Sequence, residues 1–297
     1  MTRFPKPNNN AYLLLALATL FWAGNHVVGR AVAGLVPPAG LSVSRWCLVI
    51  LVLLPFIRRS WRQDWAGIVE RPWATIMLAL IGGAMFGTLQ LVALNYTVAI
   101  NVAVMNSVAP ALIVLASVLI FADKVRGLQL FGIAISLCGV LVIVAQGSLT
   151  RLAGLSFNYG DVIVFFNMGL WAVYSACLRL KPSISGLGFM MAIAVVSAIA
   201  NLPFAIWEHA VGLPLQMTWP TVLAIIYTGI FTSFLAYVAW SRGVELIGAP
   251  RAGAFMHLVP LYGALLAWTF LGEQMQLFHV AGLVLILGGV TLAARRS

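Results

Sequence analysis

The sequence predicts an all-α polytopic membrane protein: ten transmembrane helices as two inverted five-helix repeats around a central cavity. Three observations predict it. Of the 297 residues, 62% are apolar and only 8% are Asp, Glu, Lys or Arg, against roughly a quarter charged in a soluble domain. Seven charge-free intervals, 7 to 29, 72 to 122, 127 to 150, 182 to 207, 209 to 241, 252 to 272 and 274 to 294, are each long enough to cross a bilayer, because about 20 apolar residues span roughly 30 Å of hydrocarbon. The third is an internal repeat. Adding 150 carries Pro110 onto Pro260, Asp123 onto Glu273, Gly132 onto Gly282, Gly139 onto Gly289 and Ala99 onto Ala249; adding 149 carries Trp22 onto Trp171, Ala23 onto Ala172 and Arg30 onto Arg179.

Apolar runs read against Pro, Gly and charge give spans at 11–33, 39–57, 73–94, 98–121, 127–146, 159–179, 186–207, 218–240, 247–270 and 276–294. Span 1 follows Arg3 and Lys6 and precedes Arg30; span 2 lies between Pro37-Pro38 and Arg58-Arg59. The interval 72–122 holds two crossings joined near Asn95-Tyr96, and span 5 opens after Lys124 and Arg126. Span 6 follows Asn158-Tyr159-Gly160, with Asp161 read as its N-cap. Span 7 begins after Lys181, and 209–241 contains a loop and then span 8. Spans 9 and 10 flank Glu273. The halves divide at 1–148 and 149–297. Five is odd, so the second half enters from the opposite side and the repeats are inverted.

Net charge is +10. In a soluble chain this would suggest nucleic acid, but here the basic residues sit in short loops, so membrane orientation explains them and no nucleic-acid partner is expected. With the N-terminus inside, fourteen of the seventeen Lys and Arg fall on the inner side, Arg30 and Arg151 fall outside, and Arg45 falls within span 2. Both termini are expected in the cytoplasm, with the chain multi-pass in a bacterial inner membrane. Residues 1–33 also resemble a signal peptide ending at Ala31-Val32-Ala33, but span 1 belongs to the repeat and is expected to be retained. Cys47, Cys138 and Cys177 lie in apolar spans with no metal or disulfide spacing. No metal, cofactor or obligatory protein partner is expected.

The motifs FWAGN in span 1, Ala109-Pro110 with LIFADK in span 4, and Val259-Pro260 with TFLGEQ in span 9 resemble the EamA branch of the drug/metabolite transporter superfamily, over nearly the whole chain. Within that branch the look is similar to the bacterial aromatic amino-acid exporters. The resemblance implies a ten-helix basket whose cavity is formed by spans 1–4 and 6–9, with spans 5 and 10 outside. It also implies small-molecule transport, with amino acids, nucleosides, sugar nucleotides and drugs among the superfamily's substrates.

Candidate solute contacts follow from polar groups that a membrane helix would not turn to lipid. Trp22, Asn25, His26 and Gly29 share one face of span 1, and Trp171, Tyr174 and Ser175 share one face of span 6; cavity lining and interhelical hydrogen bonding are the two readings. Asn101, Asn106 and Ser107 precede Pro110, as His257 precedes Pro260. Each proline frees a carbonyl four residues back and is either a bending point or a static kink. Arg45 lies roughly 10 Å below the outer boundary and needs a partner: Asp161, Glu208, Glu273, backbone carbonyls or a substrate carboxylate. Phe231, Phe234 and Tyr237 recur every three residues in span 8, as an apolar wall or as lipid-facing core.

No ATP-binding or common hydrolase motif is present, so no enzyme is expected. No carboxylate lies in the central third of a span, unlike the small multidrug members of the superfamily, which rely on an embedded glutamate. The expected activity is export of amino acids with aromatic or large apolar side chains by alternating access, through facilitated diffusion with broad specificity. His26 and His257 are the only candidate proton relays. Export of nucleosides or uncharged drugs, and a solute channel, are the alternatives.

Overall fold

The structure is a computed structural model in which residues 10–57, 60–97, 102, 105–145, 148, 150, 154, 158–271 and 276–294 are described. Among them every regular element is helical. The long helices are α1 (Asn10–Ala31), α2 (Pro38–Ile57), α4 (Pro72–Ala93), α6 (Gly127–Val144), α7 (Tyr159–Cys177, running on in a 3-10 turn to Leu180), α8 (Gly186–Ala210), α9 (Trp219–Ile247) and α12 (Leu277–Ala294). These eight are long and apolar enough to cross a membrane. Shorter elements are α3 (Trp61–Glu70), α5 (Ala109–Phe121), α10 (Ala249–Gly253) and α11 (Leu258–Leu271).

Several boundaries differ from the sequence expectation. The segment after span 2 folds into α3 rather than a loop. Helix α9 runs to Ile247, past Arg242, because Arg242 and Lys181 both bond Glu245 at the helix end. The N-cap of α7 is Asn158, not Asp161: Asn158 Oδ1 accepts from Asp161 N–H (3.2 Å) and Asp161 Oδ2 accepts from Asn158 N–H (2.8 Å), a reciprocal capping box. Pro110 and Pro260 each sit in the first turn of a helix, α5 and α11, where a missing N–H is harmless. The irregular backbone lies just before them, at the turn 107–108 and the 3-10 segment Ala254–His257.

Hydrogen bonds define two ends of the bundle. At one, the base, Tyr12 donates to the Ala294 carbonyl, Arg179 pairs with Asp123, and Lys181 with Glu245. At the other, the rim, Arg30 donates to the Leu94 carbonyl (3.2 Å) and Gly34 N–H to Asn95 Oδ1 (2.8 Å). Helix packing is reciprocal: α2 packs on α8 and α6 on α12, while α1 meets α9 and α11 as α7 meets α4 and α5. The α6–α12 seam is close enough that a Cβ on Gly132 would lie 2.6 Å from the Gly289 carbonyl, and one on Gly289 2.5 Å from the Gly132 carbonyl.

The α2–α8 pair is clamped at both ends by carboxylates. Glu208 accepts from Ala39 and Gly40 N–H at the start of α2 (both 2.9 Å), and Asp64 accepts from Ser185 N–H and Oγ–H at the start of α8 (both 2.8 Å). Burial pushes the Asp64 carboxyl up, but the hydrogen bonds from Ser60 and Ser185 outweigh it and hold the group below its ordinary value. A depressed carboxyl stabilises the fold above its unfolded pKa, about 3.9, and that contribution is lost as pH falls through the folded value. Asp64→Ala is therefore expected to lower stability at neutral pH by about 1–3 kcal/mol, with the gap to wild type closing in acid below about pH 4. Thermal unfolding of the purified chain across a pH series checks this.

Candidate functional site

Between α1, α2, α4, α7, α9 and the segments carrying Asn106 and Met256 lies a cavity of about 30 Å³. It is lined by Trp22, Asn25, His26, Arg45, Phe86, Gly87, Gln90, Asn106, Met168, Thr232, Tyr237, Met256 and Val259. That volume holds about one water molecule, too little for an organic solute unless helices separate.

Arg45 supplies the cavity's charge. It is buried, donates to Ser42 Oγ (3.2 Å) and lies 5.4 Å from the Trp46 ring. Ser42 is bonded to Thr88, and Thr88 to Asn201, which holds α8. The guanidinium rests on the backbone of α4 at Gly87, where a Cβ would fall 1.8 Å from Nη2. No carboxylate pairs with it among the described residues, and its Nε has no partner. Asp161 and Glu208 are held at the rim by Asn158 and Thr97 and by the α2 N-terminus. Glu273 lies outside the described residues.

A chain of amides lines the opposite wall. His26 Nε2 faces the amide nitrogens of Gln90 (3.4 Å) and Asn106 (3.3 Å), so that ring nitrogen is the acceptor. Gln90 Oε1 in turn accepts from Asn167 (3.0 Å). Asn25 Oδ1, Asn106 Oδ1 and Thr232 Oγ1 are buried without partners, beside the unpartnered Arg45 Nε. Unsatisfied buried polar atoms are expensive in hydrocarbon, and here four lining residues carry them.

Toward the base an aromatic layer closes the cavity. Trp171 packs on Trp22 (4.9 Å between centroids), Phe86 (4.4 Å), Tyr174 (5.1 Å) and Trp240 (5.5 Å), and Tyr237 meets Trp22, Trp46, Trp171 and Tyr174 edge-on or tilted. Beyond it are two openings of about 770 and 400 Å³ lined by Arg179, Lys181, Phe189, Ser241, Arg242, Glu245 and Arg251. Tyr237 lines both the smaller opening and the cavity.

The layer is fastened to breaks in two helices. Helix α4 is π-helical over Ala79–Met85 and α9 over Tyr227–Leu235. Phe86 N–H reaches back to Ile81, and Ala236 N–H to Phe231. The carbonyls of Gly82 and Thr232 thereby lose the i+4 donor of an α-helix. Tyr237 Oη–H donates to Gly82, and Trp22 Nε1–H donates to Thr232 (3.3 Å). Gly82 and Thr232 are 150 residues apart, the offset of the sequence repeat.

Of the residues singled out in sequence, the structure brings Trp22, Asn25, His26, Arg45, Asn106 and Tyr237 to the cavity. Trp171 and Tyr174 stand behind that wall, and Ser175 accepts from Trp240 Nε1 instead (3.3 Å). Phe231 is turned outward against Phe21 and Tyr227, and Phe234 packs on the core away from the cavity. His257 is buried against α6, with Nδ1 against Ser136 Oγ and Nε2–H donating to the Ser107 carbonyl (2.9 Å). Ser107 faces His257 through its backbone, and Asn101 lies outside the described residues. Gln90, Thr232, Phe86 and Met168 were not singled out. For Gln90 a signal existed, as a lone amide in an apolar run.

Apolar helices enclosing a small polar cavity, closed by an aromatic layer from an open vestibule, make this a multi-pass membrane transporter. The sequence profile of the EamA-like transporter family matches residues 9–145 and again 158–295, and the chain belongs to that family. It is 27% identical over 301 residues to the uncharacterized transporter YyaM of Bacillus subtilis (strain 168), covering 96% of this chain and 93% of that one. It is also 27% identical to an uncharacterized transporter of Archaeoglobus fulgidus, over 98% of this chain and 99% of that one. A solved crystal structure shares the fold, with a TM-score of 0.69 and 21% identity over 95% of this chain and 96% of the other. The family and these relatives are transporters, not enzymes.

Proposed function

We propose that the chain is a bacterial inner-membrane exporter of amino acids with aromatic or large apolar side chains, working by alternating access and facilitated diffusion. The observation that carries this reading is Arg45. A buried guanidinium with no carboxylate partner among the described residues faces a cavity in which Asn25 Oδ1 and Asn106 Oδ1 stand open. A zwitterion satisfies both sets, its carboxylate on Arg45 and its ammonium on the amide oxygens. Trp22, Phe86, Tyr237 and Met168 offer apolar surface to a side chain. Discrimination by such contacts is worth about 1–3 kcal/mol, so substrate use is broad. The lining holds no Asp or Glu among the described residues, which favours movement down a gradient over proton exchange.

Ten crossings in two inverted halves, 1–148 and 149–297, complete the reading. The two family matches, the reciprocal packing and the repeat-related carbonyls of Gly82 and Thr232 support it. Alternation would then come from one half rocking on the other. Eight of the ten described Lys and Arg lie at the base and only Arg30 at the rim, which supports a cytoplasmic base and cytoplasmic termini.

Uptake into proteoliposomes containing only this chain tests the proposal, with labelled tryptophan or phenylalanine against a nucleoside, with and without a pH gradient. Saturable amino-acid uptake that shows counterflow and ignores the gradient is expected. Nucleoside movement alone, non-saturable flux, or strict dependence on the gradient would respectively favour a different solute, a channel, or proton coupling.

A further inference from the structure

The charged stretch after α2 folds into the ten-residue α3, too short to cross a bilayer, and its two faces differ. One is committed to the protein. Asp64 is buried on Ser185, and a Cβ on Gly67 would fall 2.4 Å from Ile184 Cγ2. The other carries Trp61, Trp65 and Val69 at four-residue spacing, 50%, 54% and 58% exposed, with the two indoles stacked at 5.7 Å. Trp73, 81% exposed, follows at the start of α4, and exposed Phe56 of α2 and Ile76 of α4 lie along the two helices that α3 joins. Arg62 and Arg71 are exposed beside it, Arg58 and Arg59 precede it in sequence, and Glu70 is the segment's exposed carboxylate.

We propose that α3 is an interfacial helix that seats its tryptophan face in the headgroup region of the bilayer and binds anionic phospholipid through Arg62 and Arg71. Indoles favour that depth, where the ring is apolar and the N–H reaches water. Continuity with the apolar flanks of α2 and α4 places the stripe where lipid already meets the bundle. The excess of arginine over free carboxylate matches an anionic surface.

The full chain in nanodiscs tests this, with phosphatidylcholine alone or mixed with phosphatidylglycerol, each doped with phospholipid brominated high on the acyl chain. The chain has ten tryptophans, so the reading is the extra quenching of wild type over Trp61→Phe/Trp65→Phe. That excess is expected in both lipids, and about twofold larger with phosphatidylglycerol; Arg62→Gln/Arg71→Gln should abolish the increase while keeping the excess. Thermal unfolding establishes that each variant is folded. Equal quenching of wild type and the phenylalanine variant would overturn the seat in the bilayer, and is the result expected if a second copy or a soluble partner covered the face. An excess indifferent to phosphatidylglycerol, or to loss of the arginines, would overturn the anionic-lipid assignment.

Discussion

Arg45→Met should abolish saturable amino-acid uptake and at the same time make the purified chain more stable. The two effects share one cause. Arg45 is buried against Gly87 and Trp46 with Ser42 as its hydrogen-bond partner, so its desolvation is poorly compensated. Replacing it by an apolar side chain of similar length should raise stability by about 1 kcal/mol or more. A solute carboxylate that pairs with it in a desolvated site contributes about 2–5 kcal/mol, so uptake should fall at least about thirtyfold. Arg45→Lys should recover little, because an ammonium offers no fork for a carboxylate and sits on a different stem. The cause can be isolated by deleting the carboxylate from the solute instead. In direct binding to the purified chain, tryptamine should bind wild type more weakly than tryptophan does, and should bind Arg45→Met no more weakly than it binds wild type, since both changes remove the same contact. A large loss of stability in Arg45→Met, or full additivity of the two deletions, would make Arg45 a structural strut and remove the support for a zwitterionic solute.

The helices were legible because charge is so scarce: intervals free of Lys, Arg, Asp and Glu marked the long spans, and Gly, Pro and the repeat offset placed the turns between them. What periodicity could not supply was the partner of each face. Trp22 and Trp171 occupy matching positions 149 residues apart, yet the first lines the cavity while the second packs behind it, edge-on to the first. His26 and His257 looked alike as intramembrane imidazoles; one faces Gln90 and Asn106, and the other Ser136 on α6. The π-helical segments were invisible for a related reason. Their skipped carbonyls are tolerable only because Tyr237 and Trp22, distant in sequence, arrive to bond them. Helix α3 was hidden by its own composition, since WRQDWAGIVE mixes charge with tryptophan and reads as loop until Asp64 and Gly67 find α8.

Tyr237→Phe should open the base side of the cavity without emptying the aromatic layer. The ring of Tyr237 stays in place among Trp22, Trp46 and Trp171, but the Gly82 carbonyl, already without its i+4 donor, loses the hydroxyl that satisfies it. A buried acceptor left bare costs about 1–3 kcal/mol, and that penalty falls on the closed state alone if α4 rehydrates on opening. At 1.4 kcal/mol per decade, the open population should rise about tenfold. A cysteine at Met256, on the cavity wall, in a chain with Cys47, Cys138 and Cys177 replaced, reports this through reaction with a membrane-impermeant maleimide. Labelling from the base side should accelerate about tenfold in Tyr237→Phe and further in Tyr237→Ala, where the ring is also gone, while labelling from the rim side should not accelerate. Acceleration from both sides alike would mean that Tyr237 stabilises the bundle generally. No acceleration in either variant would mean that the barrier between vestibule and cavity lies in Trp171 and Trp240 rather than in the bond to the π-helical carbonyl.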